Sequence, residues 1–245
     1  MLSLIKTTDR MKKQYIYSDQ SSLWGDSECL GFGTDDFYVK EINRKLANDL
    51  IVKNHYSGKF YNATYIHLGV FVDNEIKGVL QYGYAMNPAS CGSVVTGTQK
   101  DEYLELNRMW IADNVGEYPE SKSISYSIKY IKRKFPKIKW IQSFADERCG
   151  GFGIVYQACS FSYFGEHNSL FWTLGGNVYH NSLMTRNPNL SKSAKYLQEN
   201  KNIATSETLR QFRYIKFLDQ REKKKCTLKE QPYPKHYKEN VERNK

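Results

Sequence analysis

The sequence predicts an α/β fold in which a central mixed sheet is flanked by helices, and two kinds of periodicity carry this prediction. Residues 66–73 place apolar side chains at alternate positions, which is typical of a strand with one buried face. Residues 41–54 and 121–135 instead repeat apolar side chains every three or four positions, as amphipathic helices do. Because segments of the two kinds alternate along the chain, the sequence favours a layered α/β architecture.

Turn and helix-ending residues delimit the predicted elements. Asp73 and Asn74 form a turn that joins two strands into a hairpin, and Pro136 ends the second helix. In chain order the elements are strand 36–40, helix 41–54, hairpin strands 66–73 and 76–86, strand 103–112, helix 121–135, strand 138–144, a helix from 154 and a final strand. The first 34 residues show no sustained period, so we expect an arm or loops there.

The chain changes character after the strand at 138–144. Asp146 follows this strand, and a glycine turn at 149–153 (CGGFG) precedes the short helix from residue 154. In open α/β sheets, crevices lie just beyond the carboxyl ends of the strands. Asp146 is therefore predicted to lie at a functional site.

Composition favours one domain with appended segments. A chain of 245 residues with 40% hydrophobic content can build one well-packed domain, which we place at 35–174, between an arm at 1–34 and an extension at 175–245. No stretch of 18 apolar residues occurs and the first residues lack the core of a secretory signal, so a cytoplasmic protein without a membrane partner is expected. Five scattered cysteines without a CxxC pair argue against a disulfide framework and a structural zinc site.

The net charge of +10 is concentrated at the C-terminal end. Residues 175–245 hold 16 Lys and Arg against 7 Asp and Glu. Such a surface fits a nucleic acid held through its phosphates, although a solvated charged face is the alternative. The basic residues that would hold phosphates are Arg210, Arg213, Lys216, Arg221 and Lys223–Lys225.

Four short motifs carry a resemblance to a known family. They are NHYSG (54–58), LNRMWI (106–111), ESKSIS (120–125) and FADERCGGFGIVYQ (144–157), and they occur in the family's order. On these motifs, residues 41–173 resemble the Mom family of phage DNA-modification proteins, whose fold is similar to that of GNAT acetyltransferases. The resemblance implies a GNAT-like, acyltransferase-like catalytic domain that converts adenine in duplex DNA to N6-carbamoylmethyladenine and protects phage DNA from restriction.

The resemblance also implies site residues, each through its own motif. The catalytic residues would be His55, Tyr56, Asp146 and Tyr156, and the donor-binding residues would be Arg108 and Ser121. Every one of these roles has a structural alternative. His55 suits a general base in a polar turn, or it caps the preceding helix. Asp146 orients His55 or acts as a base, or it simply forms a turn.

The remaining residues leave comparable alternatives open. Tyr56 and Tyr156 either donate to a leaving group and stack on a flipped base, or they pack against neighbouring side chains. If the strand alternates regularly, Arg108 shares a side with Leu106 and Trp110 and is an enclosed cation that needs a carboxylate or phosphate partner. Ser121 is expected to be the N-cap of the helix that follows, with donor binding as a compatible second use.

The acyl donor has two candidates. The resemblance to acetyltransferases implies acetyl-CoA. Segment 113–121, however, has a single glycine and carries the carboxylates of Glu117 and Glu120, where those enzymes have a glycine-rich pyrophosphate loop. The implied product carries a methylene group on the adenine nitrogen, which favours a glycyl donor such as glycyl-tRNA. The spacing of His55, His67 and His167 matches no recognised metal site, so no metal ligands are predicted, although iron or zinc stays open as a cofactor.

Two other functions stay open on the sequence. One is a noncatalytic nucleic-acid-binding protein built on a GNAT scaffold, and the other is a conventional acetyl-CoA-dependent N-acetyltransferase. The partners expected under the first interpretation are double-stranded DNA and a tRNA that carries the acyl group. A homodimer is left open.

Overall fold

The computed structural model describes residues 11–21, 27–149 and 151–234. Its strands are β1 (Gln14–Ser21), β2 (Ser27–Gly33), β3 (Phe37–Glu41), β4 (Thr64–Val72), β5 (Glu75–Gly83), β6 (Tyr103–Ile111), β7 (Trp140–Asp146), β8 (Ser162–Leu174), β9 (Asn177–His180) and β10 (Thr205–Phe217). Its helices are α1 (Arg44–Asn54), α2 (Cys91–Val94), α3 (Pro119–Lys134), α4 (Ile154–Ala158), α5 (Lys192–Glu199) and α6 (Gln220–Lys223). The predicted α/β class is confirmed. No helix in the described ranges is long and apolar enough to cross a membrane.

The chain forms two compact units. The first comprises Met1–Ala89 and Gln99–Lys139, and the second comprises Ser90–Thr98 and Trp140–Lys245. In the first unit, β1 to β6 pair in sequence order, and each pairing is antiparallel. The predicted hairpin is confirmed, because β4 pairs with β5 through a turn in which Asp73 and Asn74 both have positive φ angles, 49° and 67°.

The two long helices of the first unit lie on opposite faces of its sheet. Gln81 of β5 bonds to Asn48 of α1, with 2.9 Å from its Nε2 to the Asn48 Oδ1. The next residue, Tyr82, places its hydroxyl 2.5 Å from the Ser127 Oγ of α3. Neighbouring residues of a strand point to opposite faces, so the sheet is flanked on both sides. Ala47 and Ile51 of α1 pack on one face, and the tyrosines and isoleucines of α3 are buried on the other.

The prediction of an arm or loops before residue 35 is wrong for β1 and β2. Tyr15 of β1 lies opposite Phe32 of β2, and their ring centroids are 4.8 Å apart. The glycines that suggested loops are required by close backbone approach, since a Cβ on Gly31 would lie 2.1 Å from the Val39 carbonyl oxygen. Residues 1–10 and 22–26 of the predicted arm lie outside the described ranges.

The second unit builds its strands in the order β7-β10-β8-β9, again with antiparallel pairs. Strand β10, which lies between β7 and β8, comes from the segment 175–245 that was predicted to be an extension. That segment therefore contributes a strand to the sheet. Residues 225–227 also return to α2, where the Thr227 N–H donates to the Val94 carbonyl over 3.0 Å. Residues 235–245 lie outside the described ranges.

Candidate functional site

His55 lies immediately after α1, and its ring is held by the turn that follows. The backbone N–H of Ser57 donates to His55 Nδ1 over 3.2 Å, and the Ser57 Oγ lies 2.8 Å from the same atom. Because a backbone N–H can only donate, Nδ1 must accept, and the neutral ring carries its proton on Nε2. The predicted role of general base requires the opposite tautomer, with Nδ1 protonated, which would lose the Ser57 N–H contact.

The turn from residue 55 to 62 is anchored by two arginines of the same unit. Arg108 of β6 donates from Nε to the Lys59 carbonyl over 3.2 Å, and Arg44 of α1 donates from Nη2 to the Asn62 carbonyl over 2.9 Å. The Arg108 guanidinium also lies 5.8 Å from the centroid of the Tyr61 ring. Arg108 therefore helps to hold the segment that carries His55 and Tyr56.

A β-bulge at Asn107 changes the predicted orientation of Arg108. Arg108 lies opposite Gln81, and Leu106 lies opposite Tyr82. Asn107 is therefore an extra residue that has no partner position on β5. Gln81 and Tyr82 point to opposite faces of the sheet, and Arg108 and Leu106 follow them. The prediction that Arg108 shares a side with Leu106 is therefore wrong, and regular alternation could not reveal the extra residue.

Ser121 is not the N-cap of its helix, contrary to the prediction. Helix α3 begins two residues earlier at Pro119, and Tyr118 is the N-cap with φ 52° and no capping bond from its side chain. Proline suits the first helical position because its φ is already helical and its missing N–H would have no partner there. The Ser121 hydroxyl instead donates to the Tyr118 carbonyl over 3.2 Å.

Tyr56 lies beside His55 at the exposed surface of the first unit. Its side chain is 58% exposed, and its ring centroid is 4.2 Å from that of His55. Of the two tyrosines with predicted catalytic roles, Tyr56 is the exposed one, and stacking on a flipped base stays a prediction for it.

In the second unit, Asp146 ends β7 and is 8% exposed. Both of its oxygens accept from the Arg148 Nε at 3.0 Å, Oδ1 also accepts the Arg148 backbone N–H at 3.1 Å, and Oδ2 accepts from Arg148 Nη2. Asp146 is thus both a turn-forming residue and one half of a bidentate ion pair. Arg148 is only partly buried and stacks on Phe171, with 4.2 Å between the guanidinium carbon and the ring centroid.

His180 lies near this ion pair. Its ring centroid is 5.3 Å from that of Phe171, and its Nδ1 accepts the Ser182 backbone N–H over 3.1 Å. Burial, aided by the positive charge of Arg148, lowers the pKa of His180, and Asp146 partly opposes this shift. The motif resemblance singled out neither Arg148 nor His180. Their spacing was the available signal, because an Asp two residues before an Arg and a His two residues before a Ser allow these contacts.

Tyr156, the second tyrosine, is buried in α4. Its ring lies 5.4 Å from the Tyr214 ring and 5.6 Å from the Phe161 ring, centroid to centroid. This arrangement agrees with the packing alternative. Gly150 of the adjoining glycine turn lies outside the described ranges, while Gly153 has a φ of 79° that only glycine adopts without strain.

Internal partners neutralise much of the predicted phosphate-binding surface. The Arg210 Nη2 lies 2.6 Å from Glu147 Oε1, and Lys216 Nζ donates to the Cys159 and Ser160 carbonyls. Three further ion pairs lie in the same segment: Arg221–Asp219, Lys223–Glu230 and Lys225–Glu222. These cations are therefore less available to an external polyanion than the net charge implies.

The described residues contain no group of three or more His, Cys, Asp or Glu side chains arranged to hold a metal ion. His67 bonds to Gln81 instead, with 3.3 Å between its Nδ1 and the Gln81 Nε2. Burial, together with the nearby Arg44, lowers the pKa of His67. Partial desolvation and Arg213 also lower the pKa of His167, an exposed residue whose ring packs on Phe144.

Comparison with known proteins addresses the resemblance seen in the motifs. The family model described as the Mom protein family matches residues 36–235 of this chain. The chain belongs to the Mom protein family. One curated relative, named methylcarbamoylase mom, from Escherichia phage Mu, is 41% identical over 227 residues, which are 91% of this chain and 94% of the relative.

Two solved structures of acetyltransferases are similar to this Mom family chain, and their sequence identity to it is low. The ribosomal-protein-S5-alanine acetyltransferase from Vibrio fischeri is 11% identical, with a TM-score of 0.45 over 78% of this chain and 97% of that chain. The ribosomal L7/L12 alpha-N-protein acetyltransferase RimL in complex with coenzyme A is 11% identical, with a TM-score of 0.43 over 75% of this chain and 95% of that chain.

The family match extends past the predicted domain boundary at residue 174 and includes β10. The candidate residues of this Mom family member divide between the two units. His55, Tyr56, Arg108 and Ser121 belong to the first unit, and Asp146, Arg148, Tyr156 and His180 belong to the second. That the two groups act at one site stays a prediction.

Proposed function

We propose that this protein is a transferase that converts adenine in duplex DNA to N6-carbamoylmethyladenine and thereby protects phage DNA from restriction. The observation that supports the proposal most strongly is the 41% identity to the methylcarbamoylase mom of Escherichia phage Mu over 91% of the chain. The four motifs in the sequence agree with it. An enzyme that acts on a duplex base must extrude that base from the stack, so base flipping belongs to the proposal.

The product limits the chemistry of the donor. Transfer of an acetyl group to the adenine amine would leave a carbonyl carbon on that nitrogen, whereas carbamoylmethyladenine has a methylene group there and a terminal amide. The product equals glycinamide joined through its amine to carbon six of the ring. We therefore infer a glycyl donor, and glycyl-tRNA is the activated form that this chemistry favours.

The inferred reaction has two balanced steps. In the first, the exocyclic adenine amine attacks the glycyl ester carbonyl, a C–N bond forms, the ester C–O bond breaks, and the amine proton leaves with the terminal hydroxyl of the tRNA. In the second, the free glycyl amine attacks carbon six through a five-membered ring. The original exocyclic nitrogen departs from carbon six and becomes the terminal amide, with one proton moving between the two nitrogens.

His55 suits the first of these steps as a hydrogen-bond donor. Its Nδ1 accepts the Ser57 N–H, so the neutral ring offers Nε2–H. A donor at this position would stabilise the negative charge that develops on the ester carbonyl oxygen during attack. Tyr56, which is exposed next to it, is the candidate for stacking on the extruded base.

Asp146 suits an indirect role. Its contacts with Arg148 orient the guanidinium, which is partly exposed and can bind a phosphate or an oxyanion. In this proposal Asp146 is a positioning residue and Arg148 makes the contact with the substrate. Arg108 is likewise a positioning residue, because it holds the turn that carries His55 and Tyr56.

The start of α3 does not fit the pyrophosphate of coenzyme A. Pro119 contributes no N–H at the first helical position, and Glu120 places a carboxylate in the first turn. Both features weaken anion binding at a helix N-terminus. No step of the proposed reaction therefore depends on coenzyme A.

The test is a reconstitution with the purified full chain, a duplex DNA and an isotopically labelled donor. With glycyl-tRNA labelled in the glycine carbon and nitrogen, we expect both labels in a modified adenine nucleoside after digestion. With labelled acetyl-CoA we expect none. Acetyl label in the nucleoside would refute the glycyl route, and no modified adenine with either donor in a folded preparation would refute the transferase proposal.

A further inference from the structure

A groove runs along the outer face of α1 and is the strongest feature that the proposed chemistry leaves unused. It measures about 610 Å³ and lies wholly in the first unit. Its lining comes from one helical stripe and from Phe60 in the turn after the helix: Arg44, Lys45, Asn48, Asp49, Val52, Lys53 and Phe60. The lining of this groove therefore contains three cationic side chains and one carboxylate.

The cations of this groove differ from those of the second unit in their partners. The ion pairs found among the described residues of the first unit involve neither Lys45 nor Lys53. In the second unit, by contrast, Arg210, Lys223 and Lys225 each have a carboxylate partner. Neither lysine has an ion-pair partner among the described residues, and Asp49 is the one carboxylate in the lining, so the α1 groove keeps a net positive charge for an external anion.

The spacing and the apolar floor of the groove indicate which anion fits. Lys45 and Lys53 are eight residues apart on one helix, which separates their Cα atoms by about 12 Å at about 1.5 Å per residue. Phosphates of one strand repeat at about 3.4 Å per nucleotide along the duplex axis, so phosphates about three or four nucleotides apart match this separation. Phe60 and Val52 are 45% and 47% exposed, so apolar surface lies beside the charges.

The groove also leads to the proposed catalytic turn. Lys53 comes two residues before His55, and Phe60 comes five residues after it. Arg44, at the other end of the groove, donates to Asn62 and so fixes the far side of the same turn. A strand that lies along the groove would therefore end beside His55 and Tyr56.

We propose that the α1 groove binds the phosphate backbone of the DNA substrate, with Lys45 and Lys53 as phosphate contacts. This inference rests on the proposed function for its choice of DNA. It adds a binding surface in the first unit, apart from the basic residues after 174. Each lysine that contacts a phosphate displaces about 0.9 of a condensed counter-ion, which makes the contribution of each residue measurable.

The test is binding of a fluorescent duplex oligonucleotide to the full chain over a range of salt concentrations. For Lys45→Gln with Lys53→Gln we expect the slope of log affinity against log salt to become shallower by about 1.8, and the affinity near 0.1 M salt to fall at least about tenfold. The pair Lys45→Arg with Lys53→Arg should retain the wild-type slope, because it keeps both charges.

The matched control is Lys129→Gln with Lys132→Gln, which removes two exposed charges from α3 of the same unit. An unchanged slope in the α1 variant, or an equal loss in the α3 variant, would overturn the proposal. So would a loss confined to tRNA in a parallel titration. The binding assay detects no reaction product, so its outcome is separable from failure of the transferase proposal, which the labelled nucleoside reports.

Discussion

At the scale of single residues, two local contacts each occur twice in this chain. Asp219 binds Arg221 with the same pattern that joins Asp146 to Arg148, including the backbone N–H two residues on. His180 accepts from Ser182 as His55 accepts from Ser57. The contact itself therefore does not mark a functional residue. The two Asp–Arg pairs differ in burial, because the Arg221 side chain is 87% exposed and the Arg148 side chain is 26% exposed.

Burial predicts different consequences for the two aspartates. Asp146→Asn should lower the free energy of unfolding by about 2 kcal/mol, because Arg148 loses its counter-charge in a partly dry environment. The same change should abolish most adenine modification. The control Asp219→Asn should leave both quantities near the wild-type values, since water screens that pair. Urea denaturation measures the free energy of unfolding, and nucleoside analysis measures adenine modification. Equal losses of stability and of modification in the two variants would contradict this account.

Three histidines with lowered pKa values predict a pH dependence of stability. The pKa values of His67, His167 and His180 are all lowered by burial from the ordinary value of 6.5. The unfolded chain therefore binds protons first as the pH falls, so stability is complete above about pH 6.5 and declines below it. Each such proton contributes a slope of up to about 1.4 kcal/mol per pH unit.

Urea denaturation at pH 7.5 and pH 5.5 tests this prediction, and we expect a net uptake of protons on unfolding at the lower pH. His67→Asn, which keeps an acceptor for Gln81, should reduce that uptake. Stability that is constant or rises as the medium is acidified through this range would show that folding does not lower the pKa values of these rings.

At the scale of elements, the predictions succeeded where one period continued long enough. The alternation in β4 and the apolar stripes of α1 and α3 come from packing against the sheet, and the sequence displays them directly. Strand β2 was missed because glycines that permit close backbone approach interrupt its alternation, and its partner β1 is mostly polar. The bulge at Asn107 and the early start of α3 at Pro119 depend on register and capping, which periodicity does not encode.

The glycine turn before α4 offers an element-scale test. A Cβ at Gly153 would lie 2.5 Å from the Tyr214 ring, and the φ of 79° disfavours any side chain. Gly153→Ala should therefore lower the free energy of unfolding by about 2–4 kcal/mol. Gly151→Ala is the matched control, because a Cβ there meets nothing within 4 Å and should change stability by less than about 1 kcal/mol. Similar thermal shifts for both variants would disprove the packing argument.

At the scale of the whole molecule, charge balance alone does not show which basic residues are available to an external anion. Composition locates the basic residues, but only the structure shows that Arg210, Lys223 and Lys225 have carboxylate partners while Lys45 and Lys53 lie on an open groove. The candidate site residues could be named from their motifs. The contacts of His55 with Ser57 and of Asp146 with Arg148 required the folded turns, because they join backbone groups to side chains at specific angles.

The central claim is that the protein modifies adenine in DNA, and nucleoside mass analysis of DNA from cells that produce the full chain tests it most directly. The account predicts a nucleoside with the mass of carbamoylmethyladenosine in its deoxy form, present with the wild-type chain and lost with Asp146→Ala. Unmodified adenine in cells that contain the folded wild-type protein, or an acetylated adenine in place of the predicted product, would contradict it.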